Sequence, residues 1–319
     1  MAGAHEVRNE KTLTLFGHTR TAQTLAVAYV AVAALCVQPL KKLDATVVLA
    51  LQQTCSVASA VHWTPTVPRA GSLFHVALRK GSAFTPSTLN SFKVAGEPLH
   101  FHENGDSLFA LAAIPVDSIK GVSLTLRCDD GTRTNVRIPT QSGAYPLEKL
   151  TVAPEFSAPP DSALTERMRK ETALAAEVSR ASHSTPRLWT KTFRAPRDSR
   201  ITSAFGGGRT FNGAVTSRHM GTDFAGAVGA PVHATNRGVV RLIGAFYLGG
   251  NVIYIDHGEG IVSAYLHLSK QLVAVGDTVQ QGTVIGHVGA TGRVTGPHLH
   301  FIARYGQITV DAKTLLTLR

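Results

Sequence analysis

The stretch Thr295-Gly296-Pro297-His298-Leu299-His300-Phe301 decides how the C-terminal part of this chain folds and where its chemistry lies. Apolar and polar residues alternate from here on, which predicts a β-strand over Leu299–Arg304. Side chains two residues apart on a strand point to the same face and lie roughly 7 Å apart along it. His298 and His300 are therefore expected to face one common site.

Two upstream segments add the other side chains that a zinc site needs. A histidine and a carboxylate stand four residues apart in Arg218-His219-Met220-Gly221-Thr222-Asp223, and another histidine stands in Tyr265-Leu266-His267-Leu268-Ser269. A catalytic zinc ion takes three protein ligands from such groups and leaves one position for water. The last third of the chain therefore predicts a catalytic zinc centre, although spacing alone leaves open whether His298 or His300 is the ligand.

His219 and Asp223 can bind one ion only if the chain bends between them. Four residues of straight strand span roughly 13 Å, which is too far for a shared ion. Gly221 lies between the two and is the expected bend, because glycine accepts backbone conformations that other residues avoid. The zinc hypothesis also requires the strand of His298 and His300 to pass beside this bend.

The 319-residue chain is basic, with a net charge of +11, and 44% of its residues are hydrophobic. Such a charge favours polyanionic partners, namely nucleic acid, anionic lipid or an acidic cell-wall polymer. Nucleic acid is the least favoured, because no run of Lys or Arg is interleaved with aromatic residues. Of the 3 cysteines, Cys128 alone lies beyond residue 60. We expect neither a disulfide framework nor a zinc knuckle there, and take Cys128 as a small strand residue.

Residues 1–60 predict a leader that sends the rest of the chain out of the cytoplasm. Apolar runs at Leu25–Val37 and Ala45–Leu51 are followed by Ala58-Ser59-Ala60, an A-x-A cleavage pattern. These features indicate a cleaved signal peptide or an uncleaved membrane anchor. The alternative is a buried helix of a soluble domain.

The remaining chain is expected to be mainly all-β. Residues 61–155 predict a small β-sandwich-like domain, because alternating runs such as Leu73–Leu78 are separated by turn signals. Residues 156–188 hold a proline-bearing linker and a connecting helix from about Ala163 to Arg180. Residues 189–319 combine short strands with dense glycine and lack β-α alternation, which predicts an antiparallel, barrel-like sheet.

The segment from about Phe193 to the C-terminus resembles the lysostaphin/LytM-type zinc peptidases of bacterial cell walls. The matching motifs are His219-x-Gly221-x-Asp223, Tyr265-x-His267-Leu268-Ser269, Gly276-Asp277-x-Val279-x-x-Gly282, and Gly292-x-x-Thr295-Gly296-Pro297-His298-Leu299-His300-Phe301. The resemblance implies one zinc ion per chain and a catalytic pair of histidines beside the bound water. It implies the metal ligands His219, Asp223 and His300, and the catalytic pair His267 and His298.

The order of β-domain, helix and peptidase further resembles Gram-negative periplasmic members that cut peptidoglycan cross-links. In those, accessory regions ahead of the catalytic domain can cover the groove. The resemblance implies an exported endopeptidase of the periplasm or cell envelope that hydrolyses the D-Ala–diaminopimelate bond by attack of a zinc-bound water. It leaves the oligomeric state open.

Four polar residues outside the zinc set are candidates for contact with the substrate. Asn212 and Arg209 lie in the region that could line the groove, where some relatives carry a tyrosine instead. Arg218 and Arg293 could meet substrate carboxylates, although solvation at the surface is the default interpretation.

The alternative function is a non-catalytic wall-binding protein that activates amidases. Some relatives have lost metal ligands and act only by binding. All five chemical positions are filled in this sequence, which argues against that class.

Overall fold

The computed structural model describes residues 60–80, 84–156, 160–211 and 215–318. Nearly all of the predicted leader lies outside these residues. The described part is mostly antiparallel β-structure, which confirms the fold class predicted from the alternation of apolar and polar residues. None of its helices has the length and apolar character needed to cross a membrane.

The N-terminal β-region contains two four-stranded sheets, with the orders β1-β2-β6-β5 and β4-β3-β7-β8. Inward side chains such as Phe74 of one sheet and Leu124 of the other are buried in the same core, which makes the region sandwich-like. The elements are β1 (Val61–Thr64), β2 (Leu73–Arg79), α1 (Pro86–Asn90), β3 (Lys93–Val94), β4 (Glu97–Pro98), β5 (His102–Asn104), β6 (Ser107–Ala113), β7 (Val122–Arg127) and β8 (Arg133–Ile138).

The connecting segment contributes one strand and one long helix to the C-terminal region. Strand β9 (Leu147–Leu150) adds to a small sheet there, and helix α2 spans Ser162–Ala181. Asp161 caps the helix by accepting a hydrogen bond from the Leu164 amide at 2.8 Å, as expected for an aspartate at this position. Ala175 packs with Tyr254 and other apolar residues of the large sheet. The helix therefore covers the sheet as well as connecting the two regions.

The C-terminal region is built on a ten-stranded sheet with the main order β10-β13-β20-β17-β16-β15-β18. Strand β19 joins β14 and β17, and β21 pairs with β20. The elements are β10 (Ile201–Ser203), β11 (Gly208–Phe211), β12 (Val215–Arg218), β13 (Thr222–Ala225), β14 (Pro231–His233), β15 (Gly238–Phe246), β16 (Gly250–Gly258), β17 (Ile261–Gln271), β18 (Thr278–Val279), β19 (Val284–Val288), β20 (His298–Tyr305), β21 (Ile308–Val310) and α3 (Ala312–Leu316).

The two β-regions pack against each other within the described chain. Tyr305 donates its hydroxyl hydrogen to the Pro98 carbonyl at 2.5 Å, and Glu97 accepts from the Gln307 amide at 3.1 Å. Buried Leu73 belongs to the apolar core of the C-terminal region. These contacts fix the N-terminal β-region against the end of β20 that carries Tyr305.

Cys128 corrects one expectation from the sequence. It is disulfide-bonded, with a partner outside the described residues, and is not a free strand residue. The pairing was missed because both other cysteines lie within the segment that we assigned to a leader.

A buried polar chain crosses the core beneath β16 and β17. The Tyr265 hydroxyl accepts from the Thr235 amide at 3.0 Å and contacts Ser263 Oγ at 3.0 Å, while Ser263 contacts His257 Nε2 at 2.8 Å. His257 Nδ1 donates to the Arg237 carbonyl at 2.8 Å. Burial lowers the pKa of His257 to about 4, so the imidazole is neutral at physiological pH. The hydrogen bonds of this chain give each of its buried polar groups a partner.

Replacing Tyr265→Phe is expected to lower the free energy of unfolding by about 1–3 kcal/mol, because the buried Thr235 amide loses its acceptor. Urea unfolding followed by circular dichroism measures the change. Tyr254→Phe is the matched control, since the Tyr254 hydroxyl has no hydrogen-bond partner among the described residues. Equal stability of the two variants would contradict the assignment of this network.

Candidate metal centre

Strand pairing brings the predicted ligands together. Strands β13 and β20 run antiparallel with Asp223 opposite His300 and Ala225 opposite His298. On the other edge of β20, Leu266 of β17 lies opposite His300. Because side chains on opposed residues share a face of the sheet, Asp223 and His300 point into one site.

Gly221 allows His219 to lie beside Asp223 and His300. The reason is a close approach of two backbones and not the unusual backbone conformation expected from the sequence. The chain does bend between β12 and β13, but the φ of Gly221 lies outside the left-handed region. A Cβ at this position would lie 2.5 Å from His300 Nε2 and 2.7 Å from the Phe301 carbonyl oxygen. The position therefore requires glycine because the backbone runs against the ligand strand.

Three donor atoms converge at the buried end of this arrangement. Asp223 Oδ1 lies 3.0 Å from His219 Nε2 and 2.7 Å from His300 Nδ1, and the two nitrogens are 3.1 Å apart. Zinc–ligand bonds of about 2.0–2.2 Å in a tetrahedron separate donor atoms by roughly 3.3 Å. The observed spacings are close to that value, so the set can surround one metal ion.

The protonation of His219 supports the fit to a cation. Its Nδ1 lies 2.8 Å from the Ala204 carbonyl oxygen, which can only accept, so Nδ1 carries the hydrogen. Nε2 then directs a lone pair at the Asp223 carboxylate. Two electron-rich atoms in contact repel each other, and a divalent cation between them converts that repulsion into coordination.

Asp223 is held as an anion and oriented from its outer side. Arg209 donates to Asp223 Oδ2 at 2.8 Å and to Glu148 Oε2 at 3.0 Å. Such outer contacts fix the direction of a ligand and sustain its charge.

The remaining two histidines face the same centre with a matching hydrogen-bond pattern. His267 Nδ1 donates to the Thr291 carbonyl and His298 Nδ1 donates to the Gly296 carbonyl, each at 2.8 Å. Their ring centroids are 5.0 Å apart. Each ring thereby leaves its Nε2 free for proton exchange, and His298 Nε2 lies 3.7 Å from Asp223 Oδ1.

His267 reaches this position through an irregularity in its strand. It has a φ of 63°, and β17 changes register with β16 at this point. Ahead of His267 the strand pairs with β20, and beyond it with β19. Burial lowers the pKa of His267 to about 3, so its imidazole is neutral at physiological pH.

A groove of about 520 Å³ contains the donor atoms and both catalytic candidates. Arg209 lines it as predicted, but its guanidinium is engaged by Asp223 and Glu148. Asn212 lies outside the described residues, so both substrate assignments stay predictions. Sequence reasoning missed Glu148, which enters the groove from strand β9 and for which no local motif gives a signal.

Gly221→Ala is expected to weaken zinc binding by about 10- to 100-fold, because the added methyl group displaces His300 from the donor set. Competition with a chromogenic chelator measures the affinity. Gly296→Ala is the matched control, since a Cβ there meets no atom within 4 Å. An unchanged affinity in Gly221→Ala would show that His300 can move without loss of the site.

Comparison with known proteins identifies the family of this domain. The sequence model of peptidase family M23 matches residues 217–312. Peptidoglycan DD-endopeptidase ShyC of Vibrio cholerae is 47% identical over 83 residues, which are 26% of this chain and 19% of the relative. DD-carboxypeptidase/endopeptidase Mpg of Neisseria gonorrhoeae is 46% identical over 86 residues, which are 27% of this chain and 20% of the relative. The chain thus spans about a fifth of the length of these relatives.

A solved structure extends the likeness beyond this segment. A Pseudomonas aeruginosa protein described as a peptidase M23 superposes with a TM-score of 0.57 at 26% identity, covering 79% of this chain and 95% of that one. The likeness therefore includes much of the region ahead of the matched residues. Residues 217–312 thus match the sequence model of peptidase family M23, and the fold of the chain is similar to that of a peptidase M23 structure.

Proposed function

We propose that the protein is an exported zinc endopeptidase that hydrolyses the peptide cross-links of bacterial peptidoglycan, with the bond between D-Ala and diaminopimelate as its target. The observation that carries the proposal is the convergence of His219, Asp223 and His300 beside His267 and His298 in one groove. Relatives named as peptidoglycan DD-endopeptidases support the substrate class. The net charge of +11 suits an acidic wall polymer.

In this proposal His219, Asp223 and His300 hold one zinc ion per chain. Bound there, the ion would acidify a water molecule and polarise the peptide carbonyl. His267 and His298 each present a free Nε2 beside that position. One can accept the proton of the attacking water and pass it to the leaving amine, while the other, once protonated at Nε2, can donate a hydrogen bond to the developing oxyanion.

Export and domain roles are parts of the same proposal. Peptidoglycan lies outside the cytoplasm, so residues 1–60 act as a signal peptide or membrane anchor. Because the disulfide of Cys128 needs a second cysteine from this segment, any cleavage lies ahead of that cysteine. Residues 61–155 form an accessory domain, 156–188 a helical linker and 189–319 the peptidase. N-terminal sequencing of the protein from a periplasmic fraction tests the leader, and a start at Met1 without membrane association would contradict it.

The function is tested by zinc content and by muropeptide products together. We expect about one equivalent of zinc by plasma mass spectrometry, and monomers released from purified cross-linked dimers. Chelation should abolish release, and added zinc should restore it. A zinc-loaded protein that leaves the dimers intact would contradict the proposal and favour the amidase-activating alternative.

His300→Ala and His267→Ala separate metal binding from proton transfer. His300→Ala is expected to lose zinc and activity together, because one of three ligands is gone. His267→Ala should keep zinc and lose turnover by about 10²- to 10⁴-fold, as for a lost acid–base or oxyanion group. Zinc content and kcat are measured on the same preparations. Parental turnover in His267→Ala would exclude His267 from catalysis.

The N-terminal region is proposed to cover part of the groove, and strand β9 is the segment that supports this. It pairs in parallel with β11, so that Glu148, Leu150 and Val152 line the groove. Arg218, at the edge of the groove, also pairs with Asp117 of the N-terminal region at 2.6 Å. A long peptidoglycan strand would have to displace these contacts.

Replacing Leu150 and Val152 together by serine should increase the cleavage of intact sacculi by about 10-fold, because lost apolar burial loosens the segment. Dye release from labelled sacculi measures the rate. Leu147→Ser is the control on the same strand, since Leu147 is largely exposed. A rate unchanged or lowered in the double variant, with zinc retained, would count against the cover.

A further inference from the structure

Three arginines line the groove, and they differ in how their charge is balanced. Arg209 is bound by Glu148 and Asp223, and Arg218 by Asp117. Arg293 also lines the groove, yet the described residues include no carboxylate that pairs with its guanidinium. Among charged groups, Arg209, a like charge, has the largest effect on it.

The Arg293 guanidinium is placed by packing rather than by an ion pair. Its Cζ lies 4.1 Å from the centroid of the Phe211 ring, which is a cation–π contact. The side chain is only half-buried, so its outer edge is open to the groove. Burial and the neighbouring Arg209 lower the pKa of Arg293, yet arginine stays charged in proteins.

The backbone that carries Arg293 is fixed on several sides. The Arg293 amide donates to the Leu248 carbonyl at 2.9 Å. Thr291 Oγ1 donates to the Leu268 carbonyl and accepts from the Asn251 amide, each at 2.9 Å. The same loop supplies the carbonyl that orients His267. Arg293 therefore stands at a fixed place relative to the catalytic groups.

A partly desolvated cation with no counterion is costly to hold, and a ligand carboxylate removes that cost. Arginine is suited to this because its planar fork binds a carboxylate through two parallel hydrogen bonds. Diaminopimelate offers such a group, since the amine that forms the cross-link sits on a carbon that also bears a free carboxylate. The leaving group of the proposed reaction thus carries an anion next to the scissile bond.

We propose that Arg293 binds the carboxylate adjacent to the scissile amide and thereby selects cross-links with a free acid at that position. This assignment rests on the proposed function and names the specificity residue of the same site. Arg209 and Arg218 do not fit the role while their charges are balanced by the protein's own carboxylates.

The test compares two disaccharide-peptide dimers that differ only in this carboxylate, free in one and amidated in the other. The parent protein should cleave the free acid with the higher kcat/KM. Arg293→Gln should lower kcat/KM for the free acid by about 10- to 100-fold and change that for the amide by less than about 3-fold. Arg293→Lys should recover part of the preference.

Zinc content should be unchanged in both Arg293 variants. Arg237→Gln is the matched control, because this exposed arginine lies outside the groove. If Arg293→Gln lowers kcat/KM equally for both dimers, the role of Arg293 is structural. If the ratio of kcat/KM for the free acid to that for the amide is unchanged, Arg293 does not contact the carboxylate. Either result would overturn the assignment while leaving the endopeptidase function standing.

Binding gives a readout that does not depend on turnover. In a His267→Ala background, calorimetry should show tighter binding of the free acid than of the amide, and Arg293→Gln should abolish that difference. If the protein cleaves neither dimer but binds with this difference, the proposed catalysis fails and the carboxylate site stands. If the protein binds neither dimer, the proposed catalysis and the carboxylate site are both wrong.

Discussion

The antiparallel pairing of β13 with β20 is the contact on which the rest of the site depends. It places Asp223 opposite His300, and a register shifted by one residue would turn one of them to the other face of the sheet. The far edge of β20 pairs with β17, which carries His267. The proposed metal ligands and proton-transfer groups therefore lie on or directly beside the central strand β20, and their geometry is as rigid as the hydrogen-bonded sheet.

Two departures from regular strand geometry allow the side chains of the candidate metal centre to converge on this sheet. Gly221 removes the Cβ that would collide with His300. His267 adopts a φ of 63°, which costs of order 1–3 kcal/mol for a non-glycine residue. Its amide bonded to the Gly249 carbonyl at 2.9 Å and its ring bonded to Thr291 hold it there. The backbone strain at His267 places its ring beside the donor atoms, and functional sites commonly hold such strained residues at a cost in stability.

Local patterns predicted much of this arrangement, and long-range pairing explains the rest. Strand Val122–Arg127 was predicted with the bounds observed, because alternation is a property of neighbouring residues. Contacts between segments that are distant in the chain could not be predicted, because no local pattern of residues indicates them. Arg209 and Glu148 are 61 positions apart and meet only because β9 pairs in parallel with β11. The role of Gly221 was also missed in detail, since a close approach to another strand is invisible in the sequence.

The charges around the groove connect the proposed chemistry with the proposed covering of the groove by the preceding segments. Glu148 and Asp117, both from the segments ahead of the peptidase, occupy the guanidinium groups of Arg209 and Arg218, whereas Arg293 has no such partner in the described chain. If these segments move away, the groove gains cationic surface at the moment when an anionic peptide can enter. Opening would then raise both access and electrostatic attraction, since focused positive potential speeds the capture of acidic substrates. Displacement of the protein's own carboxylates by those of the substrate would couple the two events.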